Sequence, residues 1–502
     1  MKARVTAHAR YAVAEIDKRL YGSFLEHLGR AVYTGIYEPD HPDADASGMR
    51  QDVIDLVREL DTPICRYPGG NFVSAYNWED GIGPKEDRPT RLDLAWKSLE
   101  NNHVGIHEYA DWADKAGLEM MLAVNLGSRG LDEARSFVEY VNHPGGSYWS
   151  DLRRKNGRAD PWGVKTWCLG NEMDGPWQVG HKTAREYGQL ANETAKALRA
   201  FDSDLELIVC GSSHSDMPTY PQWEATVLEE TYDNIDHISL HMYFENYEKN
   251  TANFLALPEK LDRYIGTVSG VIDFVKGKKR SKKDVKISFD EWNVWYHTRK
   301  QDQVYLEGKD WQYWPPILED VYNFEDVLQV GCILNTFIRR SDRVRIACIA
   351  QLVNVIAPIM TQPGGPAWRQ TIYYPFKLAS HHGRGTALQL DVDCPTYDAD
   401  MAAGVSYLDI AGVHDSDSGS VTFFAINRNG TEPLEVELSL ERFGTPKSAS
   451  HTLIRHDDLE ATNTREAPDT VVPQEGSGAT IEGNTLSLTL PSYSYSMIRV
   501  NL

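Results

Sequence analysis

Eight short apolar runs, each followed by an amphipathic stretch, succeed one another between residues 18 and 384. From about Gly385 the pattern changes to short alternating strands separated by turns. Polar and acidic residues stand at the ends of most of the apolar runs. These observations predict an α/β chain: a (β/α)8 barrel over residues 18–384 and an antiparallel, jelly-roll-like β-sandwich over 385–502. At 502 residues there is room for both.

The strand-like stretch 3–14 precedes the first barrel strand and has no partner within a barrel. Residues 1–17 are therefore expected to supply a strand of the sandwich. Barrel strands read at 20–25, 62–66, 119–126, 164–169, 206–210, 235–241, 286–290 and 346–351. Most are apolar throughout, as parallel strands covered on both faces are. Between them, 50–60 groups Val53, Ile54, Leu56, Val57 and Leu60 on one helical face; 106–116, 131–141, 183–201, 258–274 and 320–339 behave likewise. A doubly wound sheet is the competing architecture. It more naturally carries a glycine fingerprint, whereas Gly81-Ile82-Gly83-Pro84-Lys85-Glu86 lacks the last glycine and opens no helix. Residues 420–427, 434–440, 485–490 and 493–500 read as sandwich strands.

Composition is ordinary for a globular protein, with 41% hydrophobic and 25% charged residues. The 13 Trp and 25 Tyr suit a carbohydrate cleft, because sugar rings stack on flat apolar faces, and equally suit a large core. A net charge of −22 repels phosphate backbones and anionic membranes, so neither nucleic acid nor membrane is an expected partner. The basic run 276–283 reads as a solvated helix-to-strand connection. Met1-Lys2-Ala3-Arg4-Val5 lacks the apolar segment of a secretory signal, and no apolar run reaches membrane-spanning length. The six scattered cysteines read as buried free thiols of a reducing cytoplasm, which is the expected location.

In such a barrel, function lies at the C-terminal ends of the strands. The first run delivers Glu26 and His27, the second Arg66 and Asn71, the third Asn125, and the fourth Asn171 and Glu172. The sixth delivers His241 and Tyr243, the seventh Glu291, and the eighth Gln351 and Asn354. Two carboxyls in one pocket are the minimum equipment for hydrolysing a glycosidic bond. Glu172 and Glu291 lie about 120 residues, or three βα units, apart, which puts them on strands four and seven, able to face each other across the mouth. One must be a protonated acid and the other an ionised nucleophile. Asn171 is expected to hold a sugar hydroxyl, Tyr243 to donate a hydrogen bond to Glu291, and Arg66 to add positive charge. A carboxyl separation of about 5–5.5 Å would mean retention, and one of 6.5–9.5 Å inversion. Gly211-Ser212-Ser213-His214-Ser215 lacks the second glycine of a nucleophile elbow. His107-Glu108 and His381-His382 have no ligand spacing, and there is no P-loop, so neither metal nor cofactor is expected.

Four segments carry a resemblance: Gly22-Ser23-Phe24-Leu25-Glu26-His27-Leu28-Gly29-Arg30, Arg66-Tyr67-Pro68-Gly69-Gly70-Asn71-Phe72, Gly170-Asn171-Glu172-Met173-Asp174-Gly175-Pro176-Trp177 and Asp290-Glu291-Trp292-Asn293-Val294-Trp295. Together they resemble the α-L-arabinofuranosidases of glycoside hydrolase family 51, over essentially the whole chain. The resemblance implies a retaining exo-hydrolase with Glu172 as acid/base and Glu291 as nucleophile. It implies that Glu26, Asn71, Asn171, Tyr243 and Gln351 hold the arabinofuranose and that Arg66 and His241 line the same pocket. Trp96 and the aromatic loop Trp295, Tyr296, Trp311, Tyr313 and Trp314 would shape the pocket and the leaving-group side. The implied substrates are arabinofuranosyl residues of arabinan, arabinoxylan or their oligosaccharides, and the implied assembly is an intracellular homohexamer. The alternative is a β-1,4-endoglucanase or β-xylosidase on the same barrel.

Overall fold

The structure is a computed structural model and describes residues 1–308 and 310–502. Eight parallel strands close a barrel: Gly22–Phe24, Ile64–Tyr67, Glu119–Val124, Thr166–Leu169, Glu206–Cys210, His237–Phe244, Lys286–Val294 and Val344–Ala350. Phe24, Ile64, Met121, Cys168, Ile208 and Ile346 fill its interior. Each apolar run therefore forms a strand, but three differ instructively from the sequence reading. The first strand keeps only three residues, because Asp17 accepts a hydrogen bond from Arg19 N at 3.0 Å and winds Lys18–Tyr21 into a 3-10 turn. Gly22 then passes so close to the eighth strand that a Cβ would sit 2.9 Å from Cys348 Sγ. Strands six and seven run on past the point where their side chains turn polar. The ladder continues through Glu291 opposite His241 and Asn293 opposite Tyr243. Register shifts on both sides of the seventh strand, between Ser288 and Glu291 and between Phe289 and Trp292, bulge it just below the mouth.

The helices Ile106–Ala116, Leu131–Asn142 and Ala184–Phe201 follow the apolar periodicity closely. Pro258–Lys279 extends five residues beyond it, so half of the basic run is a last helical turn rather than a connection. There Lys278 pairs with Glu229 at 2.6 Å and Lys279 with Asp233 at 3.3 Å, and all three lysines of the turn favour the helix dipole. Helix Phe324–Arg339 begins later than the pattern suggested, at an N-cap where Asn323 Oδ1 accepts from Asp326 N. Asp320 is drawn off instead to accept the backbone N–H groups of Tyr296, His297 and Thr298.

The rest of the chain forms a ten-stranded sheet curled over a second core that includes Val5, Phe423, Leu438, Leu488 and Ile498. The N-terminal strand Lys2–Glu15 lies inside this sheet, antiparallel to Thr386–Asp393 and parallel to Leu434–Glu441. That parallel pairing departs from an all-antiparallel sandwich. It is possible because the strand enters from the far end of the chain, free of any hairpin that would impose a direction. Strand Ser420–Asn427 is buried on both faces: Phe423 turns to the sheet's own core, while Phe424 and Ile426 join the barrel core. Helix Phe324–Arg339 fills the space between, with every residue from Phe324 to Ile338 buried. Its Asn335 donates to Asp409 at 2.7 Å and to Phe424 O at 3.0 Å, and Arg339 reaches Asp409 at 3.1 Å. No helix among the described residues is long and apolar enough to cross a membrane, and the six cysteines are unpaired, five of them buried.

Gly331 is the closest point of this joint, where a Cβ would sit 2.7 Å from the Tyr495 ring. Gly331→Ala is expected to lower unfolding free energy by about 1–3 kcal/mol through overpacking. Chemical denaturation of the purified variant measures this, and wild-type stability would count against so tight a joint.

Candidate active site

The barrel strands deliver their polar ends into one cavity of about 810 Å3. At strand four the backbone turns sharply: Gly170 has φ 88° and Glu172 φ 44°, an unusual conformation for a residue with a side chain. The turn puts the Glu172 carboxyl over the barrel mouth. Its Oε1 meets His241 Nδ1 at 2.9 Å, and its Oε2 accepts Trp177 Nε1 at 2.8 Å. Across the mouth, Glu291 Oε1 accepts Arg66 Nη1 at 2.7 Å and Oε2 accepts the Tyr243 hydroxyl at 2.9 Å. Glu172, Glu291 and His241 bring one ligand atom each to within 4.8 Å of the others.

These neighbours differentiate the two carboxyls. Burial, reinforced by the Glu291 charge, raises the pKa of Glu172 and favours its protonated form, against the opposing pull of His241. His241 is pushed up to about 10: burial opposes its charge, but Glu291 and hydrogen bonds to Asp290 and Glu172 outweigh it. His241 Nε2 meets Asp290 Oδ1 at 2.8 Å, so both ring nitrogens of the imidazolium donate to carboxyls. Burial works against an ionised Asp290, yet Arg66 and His241 hold it below the usual carboxylate range. With both ring nitrogens of His241 on carboxyls and the Arg66 guanidinium on Glu291, the trio is tied together as an acid–base cluster.

The second part of the pocket is built round Glu26. Its Oε1 accepts Phe72 N at 2.9 Å and Trp96 Nε1 at 2.8 Å, and its backbone N donates to Gln351 Oε1 at 2.9 Å. Burial, with Glu291 adding to it, pushes Glu26 up to about 8. Trp96 arrives on a hairpin, Arg91–Asp93 with Ser98–Glu100, that the periodicity did not suggest. Trp295 stands edge-on to Tyr243, ring centroids 5.3 Å apart, under the Arg299 guanidinium.

Glu26, Asn71, Trp96, Glu172, Tyr243, Glu291, Trp295 and Gln351 thus wall one cavity. Arg66, Asn171 and His241 stand behind that wall. Arg66 bridges Glu291 to Asn171 Oδ1 at 2.6 Å, and Asn171 Nδ2 reaches Asn71 at 3.3 Å. Asn125 and Asn354 are spent on loops: Asn125 Oδ1 accepts Gly127 N and Ser128 N, and Asn354 brackets Thr361. Of the aromatic loop only Trp295 is part of the wall; Trp314 stacks on Tyr33, and Tyr296 packs against Tyr247 and Phe254. Sequence reasoning missed Asp290 as a site residue, although a charge inside an apolar strand was its signal. Trp177, which donates to the Glu172 carboxyl, enters the sequence reading only as part of a motif.

A (β/α)8 barrel with two opposed glutamates whose oxygens approach within 4.8 Å is the architecture of a glycoside hydrolase. Two family models match, "Alpha-L-arabinofuranosidase 1 domain" over residues 56–265 and "Alpha-L-arabinofuranosidase C-terminal domain" over 290–494. An intracellular exo-α-(1→5)-L-arabinofuranosidase of Halalkalibacterium halodurans is 52% identical over 500 residues, covering 100% of this chain and 99% of the relative. An enzyme of the same description from Bacillus subtilis is 52% identical over 499 residues, 99% of each chain. The structure of a family 51 α-L-arabinofuranosidase from Bifidobacterium longum superposes with a TM-score of 0.94 at 44% identity, covering 99% of both chains. The chain belongs to the α-L-arabinofuranosidases of glycoside hydrolase family 51.

The positive charge on His241 ties stability to pH. Its folded pKa, about 10, lies above the roughly 6.5 of a free histidine. The stability it contributes is thus complete below about pH 6.5 and lost as pH rises through about 10. Nitrogen-15 NMR at pH 8 should show both ring nitrogens protonated; a neutral ring there would overturn the cluster.

Proposed function

We propose that the protein releases terminal non-reducing α-L-arabinofuranosyl residues by double displacement, with Glu291 as nucleophile and Glu172 as acid/base. What carries this reading is the pair of carboxyls within 4.8 Å at opposed strand ends, each with a different set of partners. Glu291 attacks the anomeric carbon. The glycosidic bond breaks, its electron pair stays on the leaving oxygen, and that oxygen takes the Glu172 proton. Glu172, now a carboxylate, removes a proton from water, whose oxygen displaces Glu291 and restores both groups. His241 lends positive charge to Glu172 when it is ionised, and Arg66 and Tyr243 aim Glu291 at the ring.

Glu26, Asn71, Tyr243 and Gln351 are proposed to hold the sugar from the cavity wall, with Asn171 behind them orienting Asn71 and Arg66 and with Trp96 and Trp295 as apolar walls. Phe72 N, Trp96 and Gln351 surround Glu26 and close that end, which supports exo action over the open cleft an endoglucanase needs. The names of four relatives at 50–52% identity specify (1→5) linkages. We take arabinan, arabinoxylan and oligosaccharides derived from them as the substrates, with the α-(1→5) links of arabinan favoured by those names. We also propose a cytoplasmic location and a homohexameric assembly, the first supported by the word intracellular in those names.

Glu291→Ala should abolish turnover of 4-nitrophenyl α-L-arabinofuranoside, and added azide should yield the inverted glycosyl azide. Retained turnover together with no glycosyl azide would remove Glu291 as nucleophile. Glu172→Ala should slow substrates with poor leaving groups by about 10²–10⁴-fold, and activated aryl glycosides mainly in the second step. An equal loss on both would count against its acid role. Light scattering of the purified protein should give six chain masses; a monomer would exclude the hexamer.

A further inference from the structure

The cavity extends well beyond the two glutamates. Its volume of about 810 Å3 lies high in the roughly 300–1,000 Å3 range of pockets for drug-sized ligands. One pentose at Glu26 and Glu291 would leave most of it for the leaving chain. The outer wall is not built by the barrel alone. A hairpin of Thr396–Ala399 and Ala402–Ser406, in the C-terminal part of the chain, carries Asp400 and Met401 at its turn into the cavity wall. It is latched to the helices that follow barrel strand six. Asn253 Nδ2 donates to Asp400 Oδ2 at 2.5 Å, and Asp400 N donates back to Asn253 Oδ1 at 3.1 Å. Tyr397 donates to Ala252 O at 3.1 Å, and Arg263 to Met401 O at 3.2 Å. A mere strut would bury its tip, yet Asp400 remains exposed and Met401 partly so.

We propose that this hairpin is the distal wall of the leaving-group subsite. Asp400 and Met401 there contact the third and later sugars of a neutral pentose chain, beyond the unit next to the cleaved bond, so the C-terminal module sets the preference for substrate length. This rests on the arabinofuranosidase reading above. The chemistry fits a sugar: Asp400 and Asn253 offer hydroxyl partners, and Met401 and Phe254 offer apolar surface. It also favours neutral units over uronates. Lys260 is paired with Asp216 and Arg299 with Glu245, while Asp400 adds negative charge.

The test uses the full-length enzyme, with kcat/KM for α-(1→5)-arabinobiose and arabinotetraose each divided by that for 4-nitrophenyl α-L-arabinofuranoside. In the double variant Asp400→Ala, Met401→Ala the tetraose ratio should fall several-fold, up to about ten-fold, through KM, as loss of one or two hydrogen bonds implies. The biose ratio should stay at its wild-type value. Met401→Trp, which narrows the outer end, should also lower the tetraose ratio selectively and carries the test if the double variant fails to fold. An unchanged tetraose ratio, or an equal fall with the biose, overturns the proposal. Wild-type enzyme inactive on all three substrates would instead overturn the arabinofuranosidase reading.

Discussion

Two carboxyl groups within 4.8 Å of each other cannot both carry charge in a dry interior without compensation. The mouth of this barrel is organised round that constraint. Three acids, Glu172, Asp290 and Glu291, share two cations, Arg66 and His241. With Glu172 protonated the charges cancel. In the proposed reaction that proton is the one glycosidic cleavage requires, so the electrostatics that make burial tolerable also suit Glu172 to the acid role.

Asp290 shows how backbone and charge are coupled here. It lies one residue before Glu291 in a regular strand, where neighbouring side chains face opposite ways. The register shifts between Ser288 and Glu291 break that alternation, so both carboxyls reach His241, Asp290 at Nε2 and Glu291 at 3.6 Å from Nδ1. Asp290 anchors the imidazolium, which in turn serves Glu172. A residue away from the cavity thereby holds the positive charge that moderates the raised pKa of Glu172.

The curled sheet is bound to this arrangement through helix Phe324–Arg339, which is buried on almost every side because it faces the barrel on one and the sheet on the other. The N-terminal strand ties the two ends of the chain into one sheet. Much of this was legible beforehand. Parallel barrel strands are near-continuous apolar runs, and Glu206–Cys210 and Ile106–Ala116 were read to the residue. Less legible were elements whose residues serve something other than the core. Strands six and seven continue under polar side chains, the hairpin that carries Trp96 has no apolar stripe, and Asn125 and Asn354 resemble site residues until their loop partners are seen.

By itself the sequence determined the barrel, the strands bearing Glu172 and Glu291, and the family, because periodicity and motif are local properties written in residue order. Only the tertiary structure decided which polar residues face the cavity and which stand behind it, how close the two carboxyls come, and which partners surround each of them. Those depend on burial and on charges brought together from strands far apart in the chain, such as Arg66 and Glu291, whose 2.7 Å contact spans 225 residues.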